Sequence, residues 1–297
     1  MAHWKTLLKS CPLIRPLLMP YRLWIALSYY WPVLARIPGW VLRSSEHSNF
    51  TYDVTESSKQ CLADVISIAT GAEWSAVTGY IGEFEAEFQQ LNKHCHEVLS
   101  ASADRYVTDA NAKPGRRLAY YALVRALKPR VVVEAGAARG LGTCIIDAAL
   151  LRNTSEGQPG MVYAVDIEPM AGCLIREPYQ SCVELSISDS ERFLERFQAP
   201  VDLFIYDIVN AADTERRQYE AIEKRLTSDC VVVSVWTTGA LREFAARTGR
   251  QHITFRDEPA DHWHPGCRIA IAYKPGFPRN YSGEAREFGQ QQQLQHQ

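Results

Sequence analysis

The chain predicts an α/β fold: an open, mostly parallel, doubly wound sheet that ends in an antiparallel strand pair and follows an N-terminal helical segment. Three observations carry this expectation. From Val131 onward, short apolar β-branched runs alternate with helical patterns, as strands buried on both faces do. The first run passes through a glycine-rich turn, VVVEAGAARGLGT over residues 131–143, straight into a helix. The last two runs, Gln251 to Phe255 and Arg268 to Tyr273, are joined by a polar segment with no room for a crossover helix, so they pair antiparallel at the edge of the sheet.

Each element has its own signal. Residues 1–50 form a basic, Trp-rich, amphipathic segment that contains Trp4, Trp24, Trp31 and Trp40, with Lys5, Lys9, Arg15, Arg22, Arg36 and Arg43 and no acid before Glu46. Over residues 51–112 a helical cap is expected, because Leu62, Val65 and Ile66, then Tyr80, Phe84, Phe88 and Leu91 recur at three- and four-residue steps. The main domain spans 113–275. It opens with a helix whose face is Tyr120, Leu123, Val124 and Leu127 and which Pro129 closes. The expected strands are Val131 to Val133, Met161 to Val165, Val183 to Leu185, Val201 to Tyr206 and Cys230 to Val235, then the closing pair; helices are expected at Leu141 to Leu151 and Ala240 to Arg247. A glutamine-rich tail, 276–297, has the composition of a disordered end.

Composition narrows the function. With 297 residues, 46% of them hydrophobic, the chain can bury a sizeable core, and a net charge of -2 gives no field to attract a polyanion, so nucleic acid is not the expected partner. The eight cysteines are scattered and contain no C-x-x-C pair, which reads as reduced thiols in a cytoplasmic setting. No targeting peptide is evident, so the N-terminus is expected to be retained. The longest uncharged run there, Leu23 to Ala35, is interrupted by Pro32 and falls short of the roughly 18 apolar residues a spanning helix needs. Residues 1–43 either lie peripherally on an anionic membrane surface or pack on the main domain or on a second subunit of a homo-oligomer.

The glycine turn carries the chemistry. Its order is E-x-G-x-x-x-G-x-G, with Glu134 at the carboxyl end of the strand, whereas dinucleotide binders use G-x-G-x-x-G. A carboxylate there repels a pyrophosphate and favours a ligand with an ammonium group, as S-adenosylmethionine has. Asp166 ends the second strand, where an acid accepts hydrogen bonds from ribose hydroxyls, and Asp189 follows the third, where it either reaches an adenine amino group or only caps the next helix. Arg139, inside the turn, suits the methionine carboxylate or, in the alternative reading, a phosphate.

Glu134, Gly136, Gly140 and Gly142, then Asp166, Asp189, the strand VDLFIYD ending in Asp207, and the closing strand pair together resemble a class I S-adenosylmethionine-dependent methyltransferase of the small-molecule O-methyltransferase-like branch, over roughly residues 113–273. The resemblance implies a Rossmann-like, seven-stranded sheet and methyl transfer from S-adenosylmethionine. It also implies Glu134 and the glycine backbone around the methionine part, Asp166 on the ribose and Asp189 near the adenine.

Asp207, at the carboxyl edge of the sheet, is the first candidate for the chemistry. Related enzymes often use an acid here to bind a divalent cation with a further acid or amide pair and a histidine. This chain departs from that set: Asn210 stands where a histidine is common, and the fifth strand runs Ser234, Val235, Trp236. One carboxylate does not make a magnesium site, so transfer without a metal is expected. His262 and His264 in the loop EPADHWHPG are candidates to deprotonate a hydroxyl acceptor, or they serve as structural loop residues; an extended chain would point both to one side. His94, Cys95 and His96 diverge on a helix and do not suggest a metal site. Lys113 and Arg116 would line the cofactor mouth. The leading reading is a methyltransferase acting on a hydroxyl of a small molecule or sugar. The alternatives are a catalytically inactive methyltransferase-like binding or scaffold protein, and a NAD-dependent oxidoreductase.

Overall fold

The computed structural model describes residues 14–46, 50–103, 105–106, 111–208, 212–235 and 238–276. The chain divides into two compact units, one ending at Ser44 and including Asp261–His264, the other beginning at Ser45.

In the first unit, α1 (Ile14–Leu34) is followed by α2 (Ile37–Arg43). Trp40 of α2 meets the rings of Trp263 at 5.1 Å and His262 at 6.1 Å, both edge-on. No helix among the described residues is long and apolar enough to cross a membrane. Trp4, Lys5 and Lys9, and the tail beyond residue 276, lie outside the described residues.

The second unit opens with α3 (Glu56–Thr70) and α4 (Trp74–Ser100). Thr55 caps α3 by accepting the amide of Ser58, and Gly71, at φ 74°, ends it in the left-handed conformation that a side chain resists. A short turn, Gly115–Arg117, leads into α5 (Leu118–Leu127), which is buried along its whole length. That explains why its sequence carries no polar face. Then come β1 (Val131–Ala135), α6 (Leu141–Ser155), β2 (Met161–Asp166), β3 (Val183–Ile187), α7 (Ser190–Arg196), β4 (Val201–Tyr206), α8 (Ala212–Ile222), β5 (Leu226–Ser234), α9 (Ala240–Arg247), β6 (Gln251–Arg256) and β7 (Arg268–Tyr273).

The sheet has seven strands in the order β3-β2-β1-β4-β5-β7-β6, with β7 antiparallel to both its neighbours and the rest parallel. The chain leaves β1 toward β2 on one side and returns to β4 on the other. That reversal opens a crevice beyond the carboxyl ends of β1 and β4, the position where open α/β sheets bind ligands.

Side-chain alternation divides the core into two layers. Val132, Leu203, Ile205, Val231 and Val233 face the layer of α3 to α6, whereas Val133, Ala135, Phe204, Tyr206 and Val232 face α7, α8 and α9. Glu134 shares the parity of Val132 and so points toward α5 and α6.

Most strand ends differ from the sequence expectation by one or two residues, and two boundaries differ by four. Strand β5 starts at Leu226, four residues before Cys230, because a register shift after Val201 lets its partly polar start pair with β4. Helix α6 runs on past Leu151 to Ser155. Between β2 and β3 the crossover, residues 167–182, contains turns and no helix. It is tied to the glycine turn by backbone bonds from Gly172 to the Ala138 carbonyl (2.7 Å) and from Leu174 to the Arg139 carbonyl (2.9 Å).

Cap helices α3 and α4 belong to the same hydrophobic core as α5, α6 and one face of the sheet. At the junction, the buried Arg125 guanidinium bonds Glu83 of α4 (2.7 Å) and Glu156 (2.6 Å) and also contacts Asn153 of α6. Burial alone would lower Arg125, but the two carboxylates hold it above its usual range.

Candidate functional site

The crevice is built by the turn after β1. Gly136 adopts φ 97°, and a Cβ there would lie 2.4 Å from the Asp207 carbonyl oxygen. Only a glycine lets the ends of β1 and β4 come this close. The turn then reaches Gly140, the residue before α6, which lies against Ile175 of the crossover. At the start of α6, backbone amides that have no partner four residues back face the turn, a geometry that favours a polar or anionic group.

Asp166, at the end of β2, accepts the amide of Ala138 with one oxygen (2.7 Å) and that of Glu168 with the other (2.9 Å). Its carboxylate therefore shapes the glycine turn as well as standing at the crevice. Asp189 caps α7 by accepting the Arg192 amide at 3.0 Å. With Ser188, Phe193 and Phe197 it borders a groove of about 560 Å³. Arg139 lies in the turn, half-buried, and its carbonyl holds the crossover.

Ile167 and Met170 follow Asp166 with 66% and 79% of their surface exposed, and Ile187, at the end of β3, is also exposed. Exposed apolar side chains beside two strand-end acids suit a flat base joined to a sugar. Sequence reasoning passed over Ile167 and Met170. The signal was available in the order D-I-E-P-M, a large apolar residue directly after a strand-end acid.

Beneath the turn lies a buried charge network. Glu134 is 1% exposed; one oxygen accepts the Thr143 hydroxyl (2.6 Å), and the other lies 2.6 Å from where a Gly142 Cβ would sit. Gly142 is thus needed to make room for Glu134. Burial pushes the Glu134 carboxyl up to about 8, against the lowering effect of the Thr143 bond. Glu134 and Gly142, which the resemblance sets together around the methionine part, lie directly against each other.

Asp207 is held by Arg116, whose Nη2 lies 2.9 and 3.3 Å from its two oxygens, and by the Tyr120 hydroxyl at 2.9 Å. Both members of the ion pair are 7% exposed. Burial works against the Arg116 charge, but Asp207 reverses that effect and holds the guanidinium well above its usual range. The Tyr120 phenol is raised by burial and by Asp207. Arg116 also approaches the Cys267 sulfur, at 3.6 Å, while Tyr52 and Asp257 fix the Cys267 amide at 2.9 and 2.5 Å. Lys113, expected with Arg116 to line the cofactor mouth, pairs with Asp53 at 3.1 Å on the surface.

His262 and His264 belong to the first unit. The segment turns instead of extending: the His264 amide donates to His262 Nδ1 at 3.0 Å, and the two rings lie 6.3 Å apart. Arg36 donates to the His262 carbonyl at 3.4 Å. Asn210 and Trp236 lie outside the described residues. Ser234 is buried and donates to Glu215 at 2.9 Å. His94 Nε2 meets the Leu174 carbonyl at 2.8 Å. Among the described residues no three His, Cys, Asp or Glu side chains come together as a metal-holding group.

Residues 133–234 match the family model described as a methyltransferase domain. No curated protein sequence matches the chain. Among solved structures, an O-methyltransferase from Bacillus cereus in complex with SAH is similar at 16% identity, covering 61% of this chain and 91% of that one, with a TM-score of 0.47. The O-methyltransferase TomG from Streptomyces achromogenes, in complex with SAM, is similar at 17% identity over 61% and 89%, with a TM-score of 0.46. An rRNA methylase from Streptococcus thermophilus is similar at 14% identity over 52% and 94%, with a TM-score of 0.40. The matched stretch runs from β1 through the glycine turn to the end of β5, the part of the fold that frames the crevice. Over that stretch, about a third of its length, the chain carries the match to a methyltransferase domain.

Proposed function

We propose that the protein is a methyltransferase that transfers the methyl group of S-adenosylmethionine to a hydroxyl oxygen of a small molecule or sugar and does so without a divalent metal. The donor fits the crevice: Gly136, Gly140 and Gly142 with Glu134 and Arg139 for its amino-acid end, Asp166 for the ribose, and Asp189 with Ile167 for the adenine. When bound, it would supply a sulfonium-activated methyl group, whose carbon bonds to the acceptor oxygen as the carbon–sulfur bond breaks, S-adenosylhomocysteine leaves and the hydroxyl proton passes to a base. Alignment and exclusion of water then supply most of the acceleration.

The observation that carries the metal-independent reading is the Arg116–Asp207–Tyr120 cluster. A cation would have to displace a buried guanidinium and a phenol from Asp207 to bind there, losing a charge-assisted pair in a poorly solvated place. The same pairing holds Asp207 in a fixed position. As a candidate to take the acceptor's proton, Asp207 would do so with Arg116 still bound to it; His262 and His264 are the other candidates. A second reading, a domain that binds the donor without transferring methyl, draws support from the same ion pair, because Arg116 already occupies the Asp207 carboxylate.

Transfer of labelled methyl groups from S-adenosylmethionine into a cell extract, fractionated into small molecules, RNA and protein, separates these readings. Label in small molecules that persists in EDTA supports the proposal. Label in RNA, or activity lost in EDTA and regained with Mg²⁺, overturns it. Calorimetric binding of S-adenosylmethionine with no label in any fraction selects the non-catalytic reading.

A further inference from the structure

The first unit carries a surface that methyl transfer does not use. Along α1, Trp24, Leu27, Trp31 and Leu34 follow one another at i, i+3, i+7 and i+10, which sets them on one side of the helix. Trp24 is 64% and Trp31 67% exposed, and Tyr21, Tyr29 and Tyr30 are also exposed. Five exposed Trp and Tyr side chains in eleven residues match the composition found at the level of lipid headgroups, where an apolar ring body and a polar tip are both satisfied.

Charge decides what covers this surface. The first 45 residues contain no Asp or Glu, and Lys5, Lys9, Arg15, Arg22, Arg36 and Arg43 are all basic. A second copy docked through the same face would bring two such sets together with no acid inside either segment to offset them, and like charges in one interface are repelled. An anionic bilayer supplies both the apolar depth and the opposite charge. Helix α1, about 32 Å long at 1.5 Å per residue, includes Pro20 and Pro32 and is not apolar enough to span a membrane. On a bilayer it would lie along the surface.

We infer that α1 and α2 form a peripheral anchor for anionic lipid surfaces, with Trp24 and Trp31 seated among the headgroups. Its acceptors would then include molecules that gather at such a surface.

The test is co-sedimentation of the full-length chain with vesicles of phosphatidylcholine alone or with about one third phosphatidylglycerol. Three proteins are compared: wild type, W24S/W31S and R22Q/R43Q. Their melting temperatures and S-adenosylmethionine affinities, which should be equal, show that each variant is folded. Wild type should pellet with the anionic vesicles, blue-shift its tryptophan emission, and be released as salt rises from about 0.1 M to about 1 M and the screening length falls from about 10 Å to 3 Å. R22Q/R43Q should lose about fivefold in partitioning per neutralised residue, roughly 25-fold in all. W24S/W31S should lose the emission shift and at least tenfold in partitioning. The inference is overturned if wild type stays in the supernatant or partitions equally onto both vesicle types. It is also overturned if light scattering shows a dimer that W24S/W31S dissolves, because a second copy would then occupy this face.

Discussion

The burial of Glu134 makes the stability of this protein depend on pH in a way that one substitution removes. In the unfolded chain its carboxyl titrates near 4.5; in the fold, desolvation raises it to about 8. Between those values the folded protein keeps a proton that the unfolded chain has released, so stability falls as pH rises. The contribution is fully present below about 4.5 and exhausted above about 8. At about 1.4 kcal/mol per pH unit, the interval is worth on the order of 5 kcal/mol. At about 2–4 °C per kcal/mol for a domain of this size, the melting temperature should drop by on the order of 10 °C. The Glu134→Gln variant keeps the shape and the contact with Thr143 and has nothing to titrate. Thermal melts of both proteins from about pH 5 to about pH 9 isolate the effect, because other buried acids such as Asp147, pushed up to about 6, act equally in each. The two proteins should melt close together at the acid end, and the variant should be the more stable at the basic end. A difference that stays constant across the range would refute the burial of an ionisable group here.

The same carboxyl predicts proton release on donor binding. If the ammonium of S-adenosylmethionine meets Glu134, calorimetry near neutral pH in phosphate and in Tris should show about one proton expelled by wild type and none by E134Q; equal heats after buffer correction in both proteins would remove Glu134 from the ligand. Arg116→Met, which strands Asp207 in a buried place, should cost about 3–5 kcal/mol in urea unfolding, and R116M/D207L should recover much of that loss; a wild-type midpoint for R116M would argue against the buried pair. Gly136→Ala should abolish donor binding, since its Cβ would lie 2.4 Å from the Asp207 carbonyl at a φ of 97°, and unchanged affinity would place the ligand elsewhere. Asp166→Asn gives up a charged acceptor for the Ala138 and Glu168 amides and should weaken S-adenosylmethionine about 10- to 100-fold, as titration would show.

Local patterns predicted most of the fold. Runs such as Val201 to Tyr206 keep the same bounds in the structure because a strand buried on both faces has few other solutions for so apolar a sequence. The start of β5 was not legible, since Leu226 to Asp229 is only half-buried and is recruited by a register shift in its neighbour. The crossover between β2 and β3 has turn-rich sequence but no local sign that it would bond to the glycine turn. At the site, the residue types and strand ends were readable, and their contacts were not. The parity of Glu134 with Val132 indicates a face of the sheet, but only packing shows that α5 and α6 cover it. Arg116 and Asp207 are 91 residues apart, and nothing near either one announces the other. Tyr120 counted as one more apolar step along a helix, although its hydroxyl turned out to hold the candidate base.

The shared core of cap and sheet sets where this chain can be cut. A fragment beginning at residue 113 would strip α3 and α4 from Tyr120, Tyr121 and Leu123, and would separate Arg125 from Glu83. Water would then reach a greasy face that no surface residue interrupts, and such a truncation should aggregate on expression. For the same reason, grafting a foreign cap to change the acceptor would mean redesigning α5 along with it.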